Sequence, residues 1–266
     1  MDPGGDSPKC IHCEIPLAAC RGGDLGGAEL YLTLRRFRAP RPGEPATSGY
    51  SVARVDATSG EITALAPLPD TPPLPPGARP GGVVHFQSRA VWAVLGSGLI
   101  VTGRTDQGTF RVYGQDGVLV REIRLPLVAR PVRDADRAEI VAEWQSFAGS
   151  LRYGVRDLVM YPEYDVFNSL DAFDDTTFAL RHSRWSRPAG DPEIPRGEIV
   201  WRLVTVSGGY AGVVRFPQRF VPRAFGSGGR VLGVQRDSLD VADIVELRLE
   251  PPERMPRSVF RTAATR

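Results

Sequence analysis

The sequence predicts an all-β chain, and three observations carry that prediction. Residues 90–127 hold four short apolar runs, 90–95, 98–105, 109–113 and 118–125, broken at Gly96-Ser97-Gly98, Thr105-Asp106-Gln107-Gly108 and Gln115-Asp116-Gly117. Gly and Asp accept the positive φ of tight reversals, so the breaks read as hairpin turns and the runs as one up-and-down antiparallel sheet. The second observation is an internal echo: Ser207-Gly208-Gly209 stands where Gln115-Asp116-Gly117 stands, and the strands leaving the two turns, 118–126 and 210–217, match in kind. The third is composition, since 29 Gly and 24 Pro in 266 residues suit a chain in which many turns separate short strands. A repeated four-stranded meander of about 40 residues has the size of a propeller blade. The expected fold is therefore a β-propeller of four-stranded antiparallel blades, about four of them recognisable, with one inserted α-helix near 134–147.

Taken in order, residues 1–27 are rich in Gly, Asp and Pro and read as a flexible leader. Residues 28–68 form the first unit. Positions 29–38 alternate apolar and polar side chains at the period of a half-buried strand. A Pro-rich loop follows at 39–47, and strands 50–56 and 61–68 then pair across Ala57-Thr58-Ser59-Gly60. Residues 70–82 carry five prolines. Such a segment is a stiff connector or, in a sharper reading, a polyproline ligand for another domain.

After the second unit, residues 134–147 make the one convincing helix, with Asp134 as its expected N-cap. Ile140, Val141, Trp144 and Phe147 fall on one face, and Asp136, Arg137, Glu139 and Glu143 mostly elsewhere. That apolar stripe buries against a sheet edge, or closes a pocket as a lid, or docks a partner. Residues 151–217 hold a third unit with strands at 166–173, 177–183, 198–206 and 210–216. Residues 220–250 hold three more, 220–225, 230–236 and 242–249, and lack a fourth. Propellers often complete the last blade with a strand from the other terminus, and 11–19 or 29–38 is the expected donor. The domain expectation is thus a leader at 1–27, a propeller domain at 28–250 and a disordered tail at 251–266.

Charge bears on partners. The net charge is +2, and Lys9 is the single lysine, so nearly all positive charge is Arg. Arg and Glu alternate along strands, as in Arg121-Glu122-Ile123-Arg124, which is the pattern of a solvated sheet face and not of a phosphate-binding patch. No nucleic-acid partner is expected. No apolar run reaches the ~18 residues of a membrane helix, and the start lacks the basic and apolar segments of a signal peptide. As written, the chain is expected in the cytoplasm.

The metal-like constellation lies in the leader. Cys10-Ile11-His12-Cys13 can clasp zinc, with Cys20 as a third thiolate. A structural zinc site takes four ligands, His12 would point away from a metal held by both flanking thiolates, and no second Cys pair follows. Reduced thiols are the plainer reading, with a zinc appendage as the alternative.

The residues also carry a resemblance. Phe86-Gln87-Ser88-Arg89-Ala90-Val91-Trp92-Ala93-Val94, then Gly98-Leu99-Ile100-Val101-Thr102-Gly103, then the stretch from Phe110 to Ile123, together with 231–237 and 244–249 near the end, are similar to bacterial six-bladed β-propellers of the TolB-like and NHL-like kind. The similarity covers 84–250 well and 28–68 loosely. It implies blade architecture, and a periplasmic or envelope setting usual for such proteins. Six blades need about 240 residues at ~40 each. Here three full units and a partial one are recognisable, which leaves either a compact four-bladed ring or an N-terminally shortened six-bladed arc with an unpaired edge.

Two functions follow as expectations. The first is a non-catalytic binding platform for a protein or small molecule, using channel-end loops at 39–49, 69–84 and 184–197. No nucleophile elbow, phosphate-binding loop or HExxH helix is present in the sequence. The second is a metal-dependent propeller enzyme, lactonase- or lyase-like, with a divalent ion on the channel axis. Its candidates are His12, His85 and His182, and the cluster Asp171, Asp174 and Asp175 near a turn. No residue is assigned a catalytic, cofactor-binding or metal-binding role, and no cofactor is expected.

Overall fold

The computed structural model of the chain describes residues 19–21, 29–38, 47–73, 83–148, 158–195, 197–216, 219–226, 229–239 and 241–249. These residues are mostly strands, with one helix, and most strands lie in antiparallel sheets. The chain divides into two compact units, Met1–Val213 and Val214–Arg266.

The first sheet runs β1 (Ala19–Arg21), β2 (Glu29–Arg38), β3 (Thr47–Asp56), β4 (Ile62–Pro67), in that order. β2 and β3 pair over ten residues, Glu29 opposite Asp56 and Arg38 opposite Thr47, so β3 starts earlier than position 50. The expected hairpin at 57–60 is present. The Asp56 carboxylate accepts from the amides of Thr58 and Ser59 at 2.8 Å each, and Gly60 takes a φ of 72°. β1 lies within the stretch read as leader, and pairs Cys20 with Leu30 of β2.

β5 (Val83–His85) leads into the second sheet, β6 (Ala90–Val94), β7 (Ile100–Arg104), β8 (Thr109–Tyr113) and β9 (Leu119–Arg124). This sheet is covered on two faces, and β7 shows why. Successive side chains of a strand point to opposite faces. Ile100 packs with Tyr31, Val52, Leu65 and Ala66 of the first sheet. Val101 joins Phe110, Val112 and Ile123 against Leu170, Phe178, Leu180 and Val204 of the third. Burial on both sides is the reason the run reads as continuously apolar. Phe110, wholly buried, has its ring 5.5 Å from Phe167 and 5.2 Å from Phe178. Each such side chain contributes about 1.5–3 kcal/mol of burial free energy. Polar contacts fix the sheets in register. The Trp92 indole donates to Thr33 Oγ1 at 3.0 Å, and the Gly96 amide donates to the Asp174 carbonyl at 3.2 Å. On β9 the alternating charges face water as expected, Arg124 meeting Glu122 at 2.7 Å.

α1 (Asp134–Ala148) follows, then β10 (Leu158–Met160), which pairs in parallel with β5. Three-residue strands carry no periodicity, so this pair has no sequence signature. The third sheet is β11 (Ser169–Ala172), β12 (Thr177–His182), β13 (Val200–Thr205) and β14 (Tyr210–Arg215). Its last hairpin corresponds to that of the second sheet, with a correction of one residue. Gly117 donates to Gly114 O at 3.0 Å and Gly208 to Thr205 O at 2.8 Å, with φ of 80° and 92°. The structural equivalent of 115–117 is therefore 206–208, not 207–209. The β6–β7 turn repeats the pattern with Gly98 at φ 83° donating to Leu95 O. All three are three-residue turns whose last residue must be left-handed, which is why Gly recurs there.

In the second unit β15 (Phe220–Gly226), β16 (Arg230–Arg236) and β17 (Ala242–Arg248) form a three-stranded sheet. Pro222 sits on its edge strand beside a bulge, where a missing donor costs little. The expected completion of this sheet from the amino-terminal side is not what 29–38 does. Those residues are β2, paired along their whole length with β3 and at Glu29–Tyr31 with β1, in the first sheet and not in this one. The alternative donor, 11–19, lies outside the described residues except Ala19, which is in β1.

The helix also departs from expectation at its start. The Arg137 amide donates to Arg133 O at 3.0 Å, so Arg133 supplies the first helical carbonyl and Asp134 lies within the first turn. Asp136, expected on the outer face, is 3% exposed. Its burial is possible because the Arg133 guanidinium grips both carboxylate oxygens at 2.9 and 3.0 Å, and because a negative charge suits a helix N-terminus.

Candidate functional site

Three segments distant in sequence meet beside α1. Residues 130–132 pair briefly with 162–164: Val132 N donates to Pro162 O and Tyr164 N to Arg130 O, both at 2.8 Å. Pro131 and Pro162 keep that pairing short, since neither can donate. The loop after β12 is tied to the same strip by the Ala189 amide, 2.8 Å from Val128 O. The result puts arginines and aromatic rings in alternation. The Arg130 guanidinium lies 4.6 Å from the Tyr164 ring centre. Tyr164 stacks on Trp185 at 5.8 Å and 18°, and Arg184 lies 4.4 Å from the Trp185 ring. Phe86 meets Tyr164 edge-on at 4.6 Å and has a φ of 62°. A bulky residue at positive φ costs on the order of 1–3 kcal/mol and persists only where its surroundings hold it.

Two cavities open here, and Trp185 lines both. One, of about 260 Å³, is walled by Arg130, Arg133, Arg184, Arg187 and Glu193. The other, of about 200 Å³, is walled by His85, Phe86, Ile140, Glu143 and Trp144. α1 is bound to this site by the bidentate pair of Arg184 with Glu139, at 2.7 and 2.6 Å.

The charges are unequally matched. Arg133 is paired with Asp136, and the hydrogen bond from that guanidinium holds the Asp136 carboxyl down to about 2. Arg184 is paired with Glu139. Arg187 is 8% exposed, gives one N–H to the Asp191 carbonyl, and among the described residues has a carboxylate only at 3.6 Å, from the solvent-facing Glu193. Arg130 spends its donors on the carbonyls of Arg187 and Arg184 at 3.3 and 3.2 Å and has no carboxylate partner among the described residues. Burial, then the charge of Arg187, lowers the Arg130 pKa. The Tyr164 hydroxyl is buried and faces Asp136 without a hydrogen bond of ordinary geometry, and burial raises its pKa. Burial likewise lowers that of His85, so its imidazole is neutral at pH 7. The arrangement can bind an anion and stack a planar group. Its carboxylates Asp136 and Glu139 are held by guanidiniums.

The sequence-derived candidates scatter. His85 lines the aromatic cavity. His182 ends β12 at 1% exposure, its ring facing the backbone of Val166 and Ser186 without a hydrogen bond of ordinary geometry, and burial lowers its pKa to about 3. Asp171 accepts from Ser169 Oγ at 2.9 Å, and burial raises its pKa. Asp174 accepts from the Thr176 amide at 2.8 Å, as a turn aspartate does. Asp175 gives its carbonyl to Ser97. Among the described residues, no three His, Cys, Asp or Glu side chains gather as metal ligands would. The Asp171, Asp174 and Asp175 trio is therefore not brought together. Cys10, His12 and Cys13 lie outside the described residues, and Cys20 sits in β1. No helix among the described residues is long and apolar enough to cross a membrane.

Of the three expected binding loops, 184–197 supplies Arg184, Trp185, Arg187 and Glu193 to the site, while most of 39–49 and 69–84 lies outside the described residues. The start of the proline stretch is anchored: the Asp70 carbonyl accepts from Arg104 at 3.1 Å and that of Pro73 from Tyr161 at 2.9 Å, as a connector would be. The sequence reading missed Arg130, Arg133, Tyr164 and Arg187. One signal was available: Arg181, Arg184 and Arg187 surround Trp185 within seven residues of an otherwise polar stretch.

No protein-family model and no curated protein sequence matches the chain. Among solved structures it is similar to a member of the DUF4221 family from Bacteroides vulgatus, at 10% identity and a TM-score of 0.38, over 87% of this chain and 64% of that one. The chain therefore spans less than two thirds of that protein, and so distant a likeness gives no residue a role.

Proposed function

We propose that the chain is a non-catalytic binding module of β-propeller type, whose ligand site is the pair of cavities between α1 and the 184–195 loop. The blade reading is supported by three sheets built in chain order, each packed face to face on the next, with β6 and β11, the first strands of consecutive sheets, side by side. The resemblance of 84–250 to TolB-like and NHL-like propellers points the same way.

One observation carries the binding reading. Where the fold gathers ionisable and aromatic side chains, Asp136 and Glu139 are locked to guanidiniums while Arg130 and Arg187 remain undercompensated beside stacked rings. Such guanidiniums beside stacked rings suit recognition of an anionic, planar group. A metal-dependent hydrolase is separated from this reading by a calcium titration followed by thermal unfolding. The binding module predicts a melting temperature indifferent to calcium and to chelator. Reproducible stabilisation by calcium, reversed by chelator, sinks it in favour of the metal enzyme.

A further inference from the structure

The arginine cavity differs from the rest of the surface in how its charge is left. On β9, by contrast, Arg124 sits in an exposed pair with Glu122, and such pairs are worth little. Here Arg187 is nine-tenths buried, and its sole carboxylate among the described residues stands 3.6 Å away on a side chain 82% exposed. Arg130, close enough for its Nε to bond the Arg187 carbonyl, has none among the described residues. Taking a guanidinium out of water without a close countercharge is costly in proportion to its burial, which is deep for Arg187 and partial for Arg130. Backbone carbonyls take part of that load, at 3.2 and 3.3 Å for Arg130. They bring no negative charge.

We propose that this cavity receives the oxyanion of a small aromatic ligand, a phosphate or carboxylate, with Arg130 and Arg187 as its direct partners. The planar guanidinium fork matches both oxyanions. Arg133 and Arg184 add positive potential although each already holds a carboxylate. The ligand's ring lies toward the second cavity, whose walls are His85, Phe86, Ile140, Glu143, Trp144 and the shared Trp185. Trp185 lines both cavities and is itself held between Tyr164 and Arg184. The volumes, about 260 and 200 Å³, suit a group of that size in each. The proposal rests on the reading of these cavities as the ligand site.

The test is calorimetric titration of the full chain with phenyl phosphate, and separately with inorganic phosphate and with phenol. Saturable binding of phenyl phosphate with a Kd of about 1 mM or tighter is expected, with both fragments weaker. Arg130→Gln should weaken it by about tenfold or more, Arg130→Lys less so, and Arg111→Gln on the exposed face of β8 not at all. Thermal unfolding of each variant establishes that it is folded. Absence of saturable binding, binding by phenol alone, or equal affinity in folded Arg130→Gln overturns the proposal. A calcium response would remove the underlying binding-module reading, whereas failed phosphate binding without one removes only the oxyanion.

Discussion

Arg130 lies over the Tyr164 ring at 4.6 Å, and the same ring stacks on Trp185 at 5.8 Å and meets Phe86 edge-on at 4.6 Å. Tyr164 is wholly buried, so its ring, not its hydroxyl, organises the site. Cation–π and stacking contacts contribute about 0.5–2 kcal/mol each when desolvated.

That ordering predicts unequal effects of two substitutions. Tyr164→Phe keeps every ring contact and removes a buried hydroxyl that lacks a well-formed hydrogen bond. It should change unfolding free energy by less than about 1 kcal/mol. Tyr164→Ala should cost about 3–5 kcal/mol. Urea unfolding of both variants checks this, and a large loss in Tyr164→Phe would show that the hydroxyl is bonded after all.

The turn glycines make a second contrast. Gly60 and Gly117 both have positive φ, 72° and 80°, but a Cβ on Gly60 meets open space whereas one on Gly117 would lie 2.6 Å from the Leu65 carbonyl oxygen. Gly60→Ala should cost about 1–2 kcal/mol for the backbone alone. Gly117→Ala carries that and the collision between the second sheet and β4, and should unfold at clearly lower urea. Equal midpoints would mean the two sheets do not approach as described.

Asp165 gives a pH dependence of definite sign. It is 8% exposed, accepts from Thr105 Oγ1 at 2.8 Å, and burial raises its pKa to about 7. An unfolded chain has it near 3.9. Because the folded pKa is the higher, the folded state keeps the proton longer, and this residue's contribution is full below about pH 4 and falls as pH rises to about 7. The loss is at most about 4 kcal/mol. Asp165→Asn removes the titration. Relative to that variant, wild type should lose stability between pH 5 and pH 8, and parallel curves would contradict the raised pKa. His182 acts oppositely: its folded pKa of about 3 means stability is lost as pH falls below about 6.5. Comparing wild type with Asp165→Asn cancels that contribution.

Much of the sheet architecture was legible because turns and strands are local. β8 and β16 have the bounds read from sequence, 109–113 and 230–236, since alternation and Gly-marked reversals act over a few residues. Alignment of the two hairpins slipped by one because Gly208 and Gly209 are adjacent and sequence does not say which takes positive φ. The helix cap moved from Asp134 to Arg133 because the Arg133–Asp136 pair decides that turn. The candidate site was legible only as a loop, 184–197. Its other half, Arg130 and Tyr164, comes from a pairing of 130–132 with 162–164 that lies across α1 and has no periodic signal.

The most direct measurement of the central claim is fluorine NMR of the full chain carrying 5-fluorotryptophan at its four tryptophans, titrated with phenyl phosphate. Trp185→Phe and Trp92→Phe assign the two informative resonances. The account predicts that the Trp185 signal moves saturably while that of Trp92, bonded to Thr33 between the first and second sheets, stays fixed. A fixed Trp185 signal, or movement of Trp92 without it, would contradict a ligand site beside α1.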